Sequence, residues 1–179
     1  VPLHSVYQRH LSNIRETLTD VLHNLAWRYG DLHGRAAVTG SAGIALADML
    51  GLPFVQEVVA TTRAVEEAYP EADAVVELGG EDAKVMYLSG NPEQRMNATC
   101  AGGTGGFIDT IAFMLGVRSS EMSRLAGGAN RIYPIASRCA VFAQTDVRPL
   151  LNSGAKKSDI AASALEAVVR QTITGLACG

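Results

Sequence analysis

The stretch from Val75 to Phe107 constrains the fold more than any other part of this sequence. It reads VVELGGEDAKVMYLSG and then NPEQRMNATCAGGTGGF, so a glycine pair and two acids separate two short apolar runs. This pattern predicts a β-hairpin of Ala74–Leu78 with Lys84–Leu88, followed by a short third strand at Gln94–Asn97. A cysteine and a glycine-rich loop then lead into the apolar run FIDTIAFML, which predicts a helix over Gly105–Leu115.

The rest of the chain predicts helices alternating with short strands. Apolar residues at helical spacing predict a helix from the cap residue Ser12 to Tyr29. A buried strand at Arg35–Thr39 is expected to lead through a glycine turn into a helix ending at Leu50, a design that either holds an anion or simply joins strand to helix. Further expected elements are a strand or strand end at Val1–His10, a short extended segment at Phe54–Val58, and helices at Thr61–Tyr69, Ser120–Ala126, Cys139–Leu151 and Ser158–Cys178. These elements predict an α/β fold over residues 1–179.

Charge and cysteine content exclude several classes of protein. The net charge of −3 offers no basic patch, which argues against a general nucleic-acid or membrane-surface binder. No apolar run approaches the ~20 residues that span a bilayer, and no signal peptide is visible. Three widely spaced cysteines make a poor disulfide framework, so we expect cytoplasmic thiols or thiols with a chemical role. Since the chain does not begin with Met, we expect it to be a piece of a longer protein.

The glycine pair is the candidate phosphate site. The sequence contains neither the G-x-x-x-x-G-K-[ST] pattern nor the dinucleotide G-x-G-x-x-G pattern. A remaining design is a hairpin whose amides hold phosphate while a carboxylate orients a hydrated Mg²⁺. The residues available for it are Glu77, Gly79, Gly80, Glu81 and Asp82. The alternative is a surface hairpin with its acids in solvent.

Two cysteines are candidate metal ligands. Cys100 and Cys139 each stand at or near a predicted helix start, where the helix dipole stabilises a thiolate. Two cysteines cannot complete a four-cysteine iron–sulfur or zinc site within one chain, but two chains related by a twofold axis could each give a pair. The alternative is a pair of buried structural thiols. Cys178 is expected to be a small packing residue.

Three ordered motifs, ELGGEDAK, MNATCAGGTGGFID and PIASRCAVFAQTDV, resemble the activator ATPases of 2-hydroxyacyl-CoA dehydratases and the related benzoyl-CoA reductase subunits. The resemblance implies an actin-like ATPase fold, of the acetate-kinase, sugar-kinase, Hsp70 and actin type, with ATP between two lobes. It also implies a homodimer that shares one [4Fe-4S] cluster, with Cys100 and Cys139 as the ligands from each protomer. ATP hydrolysis would then drive one low-potential electron from a ferredoxin or flavodoxin to a dehydratase or reductase partner.

The resemblance also assigns roles within the nucleotide site. Gly79 and Gly80 would offer amides to the terminal phosphates, and Glu77 and Asp82 would hold the water shell of Mg²⁺ or orient the attacking water. Other expected nucleotide contacts are Glu81, Lys84, Gly102, Gly103, Thr104 and Gly105, of which the last four lie in the loop that carries Cys100.

The sequence departs from the family pattern in two ways. Glu77 stands where the common form has Asp and Glu81 where it has Gln, a variant similar to the long, multi-domain members. The first phosphate loop is expected before Val1 and the adenine-side segment after Gly179. Residues 1–72 would be the remainder of the first lobe and the crossover, and 73–179 the second-lobe strands and the cluster-bearing helices. Two rival hypotheses are a kinase-like enzyme without a cluster and a non-catalytic scaffold module.

Overall fold

A computed structural model describes residues 3–10, 12–30, 33–80, 82–90, 93–97, 102–136 and 140–177. The chain separates into two compact units, Val1–Val55 and Gln56–Gly179. The assignment of residues 1–72 and 73–179 to two lobes stays a prediction.

The first unit contains two helices and a single pair of bridged residues. Helix α1 spans Ile14–Tyr29, helix α2 spans Gly43–Leu50, and Val38 forms a parallel bridge with Phe54. The predicted ends of both helices, at Tyr29 and Leu50, are confirmed. Each helix is followed by a glycine with positive φ, Gly30 or Gly51, which ends it. The N-cap of α1 is Asn13 and not the predicted Ser12, whose φ of 71° places it outside the helix.

Two predicted strands of the first unit are wrong. Residues 3–10 form no strand, and the predicted strand Arg35–Thr39 is reduced to the bridge at Val38. An extended segment becomes a strand only where a neighbour supplies a ladder of hydrogen bonds. Here the described bonds join Val38 to Pro53 and Val55 alone.

The second unit begins with a helix and a three-stranded antiparallel sheet. Helix α3 spans Glu57–Ala68, and the strands are β1 (Ala74–Leu78), β2 (Ala83–Tyr87) and β3 (Glu93–Met96), in that order across the sheet. The hairpin and third strand are therefore confirmed, with β1 as predicted and the other two shifted by one residue. The predicted start of α3 at Thr61 is wrong, because the helix begins at Glu57, an acid that its positive N-terminal dipole favours.

The remaining helices form the hydrophobic core. Helix α4 spans Gly105–Leu115 as predicted, and a 3₁₀ turn at Ser119–Glu121 leads into α5 (Met122–Ala126). Helix α6 spans Ala140–Asn152, and α7 spans Lys157–Thr172 and continues as a π-helix over Ile173–Ala177. The core joins α4, α5, α6 and α7 through a cluster of buried apolar side chains, which includes Phe107, Ile111, Leu115, Met122, Val147, Ile160, Ala161 and Ala164.

Helix α7 buries a series of alanines. Ala161, Ala164 and Ala167 recur at three-residue spacing on α7 and are buried, and α5 packs on this helix. Alanine favours the helix and leaves room for the neighbouring backbone. Within the described parts of the chain, no helix is long and apolar enough to cross a bilayer.

Candidate functional site

The two glycine-rich motifs interlock through backbone hydrogen bonds. The amide of Gly105 donates to the carbonyl oxygen of Gly79 at 2.8 Å, and the amide of Gly106 donates to that of Gly80 at 3.0 Å. The buried hydroxyl of Thr104 also donates to the Gly80 carbonyl oxygen, at 3.3 Å. These amides are among the first of helix α4, which no carbonyl within the helix can satisfy. The β1–β2 turn therefore caps α4, the helix that follows the Cys100 loop.

Glycine is required on the helix side of this contact. A Cβ atom on Gly106 would lie 2.4 Å from the carbonyl oxygen of Gly80, and one on Gly105 would lie 3.0 Å from that of Gly79. Both neighbours are backbone atoms, which cannot move aside as a flexible side chain can. The phosphate contact of Gly105 remains a prediction, but its amide already donates a hydrogen bond to the carbonyl oxygen of Gly79.

Gly103 and Gly80 differ in what surrounds them. Gly103 has a φ of +75°, and a Cβ atom there would meet the side chain of Gln171 at 3.0 Å, so conformation and packing both require glycine. A Cβ atom on Gly80 would meet no described atom within 4 Å. Gly80 therefore borders open space, which is where a ligand can approach the turn.

Four charged side chains converge beneath the hairpin turn. The ammonium Nζ of Lys84 lies 2.6 Å from Glu57 Oε2, 3.0 Å from Asp82 Oδ2 and 3.9 Å from Glu77 Oε1. Lys84 is 4% exposed and lies on the central strand β2. Burial alone would lower the pKa of Lys84, but hydrogen bonds to Glu57 and Asp82 and the charges of Glu77 and Asp82 together raise it above its usual value. Lys84 is therefore a charged, buried group and not a solvent-facing strand lysine.

Glu77 contributes an oxygen atom without a partner. Its Oε2 is buried and has no hydrogen-bond partner among the described residues, although its other oxygen lies near Lys84. An unsatisfied buried carboxylate oxygen is unfavourable, so it marks a place where a water or a ligand belongs.

Glu77 and Asp82 fit the requirements of a hydrated Mg²⁺. Such an ion keeps several waters and takes one or two carboxylates when it accompanies nucleotide phosphates. Across the described residues, no group of three or more His, Cys, Asp or Glu side chains is arranged to hold a metal directly. Glu77 Oε2, which has no hydrogen-bond partner among the described residues, is an acceptor to which a water of such an ion could donate.

Several predicted site residues lie outside the described residues. These are Glu81, Cys100 and Cys139, as well as Cys178. The elements beside the two candidate ligands are described: α4 begins at Gly105, α6 begins at Ala140, and the two helices pack on each other. The loop before Cys139 is fixed at Ala136, whose amide donates to Asp146 Oδ2 on α6 at 2.8 Å.

Glu57 was missed by sequence reasoning. We predicted an extended segment at its position, whereas the structure makes it the first residue of α3 and the nearest carboxylate to Lys84. One signal was present in the sequence, because a lysine inside a strand between apolar residues needs acidic partners if the strand is central. The sequence does not show which acids are the partners, since Glu57 and Lys84 are 27 residues apart.

Comparison with known proteins agrees with the motifs. Residues 2–176 match the BadF/BadG/BcrA/BcrD ATPase family. The chain is 28% identical over 175 residues to the (R)-2-hydroxyglutaryl-CoA dehydratase activating ATPase of Acidaminococcus fermentans, covering 94% of this chain and 62% of the relative. It is 33% identical over 120 residues to the 2-hydroxyisocaproyl-CoA dehydratase activator of Clostridioides difficile, covering 65% of this chain and 45% of the relative.

A solved structure shows the same architecture. The activator of the 2-hydroxyisocaproyl-CoA dehydratase from Clostridium difficile, determined with bound ADPNP, superimposes with a TM-score of 0.78 at 29% identity. The match covers 87% of this chain and 60% of that one, so the chain spans about half to three fifths of the length of these relatives. The predicted α/β, actin-like ATPase fold is confirmed by this likeness. On the family match over nearly its whole length, the chain belongs to the BadF/BadG/BcrA/BcrD ATPase family.

Proposed function

We propose that this chain is part of an ATP-dependent activator that delivers one low-potential electron to a 2-hydroxyacyl-CoA dehydratase or a related reductase. The observation that carries the proposal is the direct hydrogen bonding between the Gly79-Gly80 turn and the first amides of α4. A turn suited to nucleotide phosphates is thereby joined to the helix that follows a candidate cluster ligand, Cys100. Relatives named as dehydratase activators support the same direction.

ATP with Mg²⁺ is the proposed ligand of the hairpin. The open space beside Gly80 leaves room for a phosphate, and the nucleotide analogue ADPNP bound to a similar structure supports ATP. We assign the phosphate contacts to the amides of Gly79 and Gly80, and the water shell of Mg²⁺ to Glu77 and Asp82. Glu81 and the loop residues Gly102, Gly103 and Thr104 complete the proposed nucleotide site.

The proposed second cofactor is a [4Fe-4S] cluster shared by two copies of the chain. Cys100 and Cys139 would supply two thiolates from each protomer, since such clusters are usually held by four. A cluster held in this way supplies one-electron transfer at low potential. The hydrogen bond that the amide of Ala136 donates to Asp146 supports this set, because it holds the chain three residues before Cys139 against α6.

Coupling between the two sites would run through helix α4. When phosphate contacts pull the Gly79-Gly80 turn, the carbonyl oxygens that cap α4 move with it. Phe107 and Ile111 pack in the core with residues of α6 and α7. Because that core is closely packed, a rigid movement of α4 would displace α6 and α7 as well. The nucleotide then acts by changing the populations of two dimer shapes.

The overall reaction balances with simple partners. ATP and water give ADP and phosphate, a reduced ferredoxin or flavodoxin loses one electron, and the dehydratase or reductase gains it. We propose that this takes place in the cytoplasm, where such carriers are found.

The cluster is tested by anaerobic purification of the full-length protein. We expect about four irons and four sulfides per dimer, because four thiolates hold one cubane. The change Cys100→Ser or Cys139→Ser is expected to remove them, since each dimer would then lose two ligands.

Cys178→Ser is the matched control and should keep the iron content of the unaltered protein. Absence of iron after anaerobic reconstitution would contradict the electron-transfer proposal. It would favour a kinase-like enzyme without a cluster.

A further inference from the structure

Lys84 occupies a position where a charge is unusual. It lies on β2, between β1 and β3, where Ala83, Val85 and Met86 are also buried. Lysine is almost never this deeply buried without acidic partners, because its ammonium loses its hydration. Its presence therefore needs an explanation beyond the packing of the strand.

Two of the three carboxylates around Lys84, those of Glu77 and Asp82, are the ones proposed to face Mg²⁺. Glu77 pairs with Lys84 across the β1–β2 ladder, and Asp82 lies two residues before it, so all three side chains share one face of the hairpin. Asp82 Oδ2 is 3.0 Å and Glu77 Oε1 is 3.9 Å from the ammonium. A cation between two carboxylates holds them side by side against their mutual repulsion.

A third carboxylate fixes the ammonium itself. Glu57 Oε2 lies 2.6 Å from Lys84 Nζ, the shortest of the three distances, and reaches it from helix α3. Contacts between α3 and β2 also include Thr62 Oγ1 with Met86 Sδ at 4.0 Å. Lysine has a flexible four-carbon stem, so an acid from a second element restricts where its charge can stand.

We propose that Lys84 and Glu57 are positioning residues for ATP hydrolysis. Glu57 fixes the ammonium of Lys84, and Lys84 holds Glu77 and Asp82 in one orientation toward the Mg²⁺–nucleotide complex. This inference rests on the proposed nucleotide site and replaces a direct phosphate contact of Lys84 with an indirect role. Three carboxylates and one ammonium leave a formal excess of two negative charges, which a divalent cation would neutralise.

The test compares variants of the full-length protein that remove each charge. Lys84→Met keeps the length of the side chain, Glu57→Gln keeps its shape, and Lys84→Arg keeps the positive charge. The double variant, which combines Glu57→Gln with Lys84→Met, completes a double-mutant cycle that measures the coupling between the two residues. Arg63→Met is the matched control, since Arg63 pairs with Glu66 on the exposed side of the same helix. For each protein we would measure ADP affinity with and without Mg²⁺, and kcat and KM for ATP.

Lys84→Met is expected to lower kcat at least about tenfold, and the KM for ATP should rise by no more than about tenfold, as Mg²⁺-dependent binding is lost. The gain in ADP affinity on adding Mg²⁺ should also fall about tenfold, because the unpaired carboxylates turn away from each other. Lys84→Arg should restore most of both values. The double variant should be no worse than Lys84→Met alone, since Glu57 acts through Lys84.

Four results would overturn the inference. Multiplying losses in the double variant would show that Glu57 acts independently of Lys84. An unchanged or larger effect of Mg²⁺ in Lys84→Met would show that the ammonium competes with the cation. If Lys84→Met does not fold, Glu57→Gln takes its place. A gain in ADP affinity on adding Mg²⁺ that is the same in Glu57→Gln as in the unaltered protein would then contradict the positioning role of Glu57 and Lys84. Failure of the unaltered protein to bind nucleotide would overturn the proposed function and this inference together, and that outcome is visible before any variant is made.

Discussion

Gly80 and Gly106 lie on opposite sides of one hydrogen bond and are glycine for different reasons. The amide of Gly106 donates to the Gly80 carbonyl oxygen at 3.0 Å, and a Cβ atom on Gly106 would lie 2.4 Å from that oxygen. A Cβ atom on Gly80 would meet no described atom within 4 Å. Neither residue has a positive φ. Steric contact alone therefore requires glycine at 106, and the ligand is the remaining candidate for requiring it at 80.

Gly106→Ala is expected to destabilise the protein by about 1–3 kcal/mol, the usual cost of forcing extra volume into a packed site. Gly80→Ala, its matched control, should change the free energy of unfolding by no more than about 0.5 kcal/mol. Urea unfolding measures both. Equal stability losses would show that the two loops do not interlock as described.

The sequence predicted residues of this site better than it predicted their contacts. The glycine pair, the acids and Lys84 can be recognised as a pattern, because residues that build one hairpin turn are close neighbours in the sequence. Glu57 was invisible, because its contact with Lys84 joins a helix to a strand 27 residues away. Contacts of this kind depend on how elements pack, which local spacing does not encode.

Among the elements, α4 connects the candidate site to the core. Its first amides are capped by the hairpin turn, and its side chains Phe107, Ile111 and Leu115 are buried in the core. Strong apolar periodicity and the glycine at each end explain why its bounds could be predicted. The β-hairpin was predictable for a similar reason, since its two strands are close neighbours in sequence.

Ile111→Ala is expected to cost about 2–5 kcal/mol, through lost burial and the cavity it leaves. Ile111 is fully buried within the cluster that joins α4 to α6 and α7. Phe113→Ala is the control on the same helix, because Phe113 is 83% exposed, and it should cost no more than about 0.5 kcal/mol. Thermal or urea unfolding would contradict the described packing if the exposed phenylalanine proved the more important residue.

At the scale of the whole molecule, the predictions failed where a strand needs distant neighbours. Arg35–Thr39 has the composition of a strand, yet only Val38 forms a bridge, because the described structure brings Phe54 alone beside it. Helix α1 likewise has the predicted apolar spacing but no buried residue. Composition predicts that a segment can form an element, whereas the neighbours decide whether it becomes a strand or buries its apolar face.

Nucleotide binding should stabilise the whole protein against thermal unfolding. A ligand that binds only the folded state stabilises it by about 2.7 kcal/mol at a concentration one hundred times its Kd. We expect ATP with Mg²⁺ to raise the melting temperature of the full-length protein. ATP with a chelator should do so less, because the carboxylates of Glu77 and Asp82 then face the phosphates without a cation between them.

Asp82→Asn provides the matched variant for this measurement. It removes one proposed partner of the Mg²⁺ water shell and one partner of Lys84, which lies 3.0 Å from Asp82 Oδ2. The difference between the melting temperatures with Mg²⁺ and with chelator should therefore shrink, while stabilisation by ATP alone should not. A protein that no nucleotide stabilises, with or without Mg²⁺, would instead fit a non-catalytic scaffold module, in which the carbonyl oxygens of the turn only cap α4.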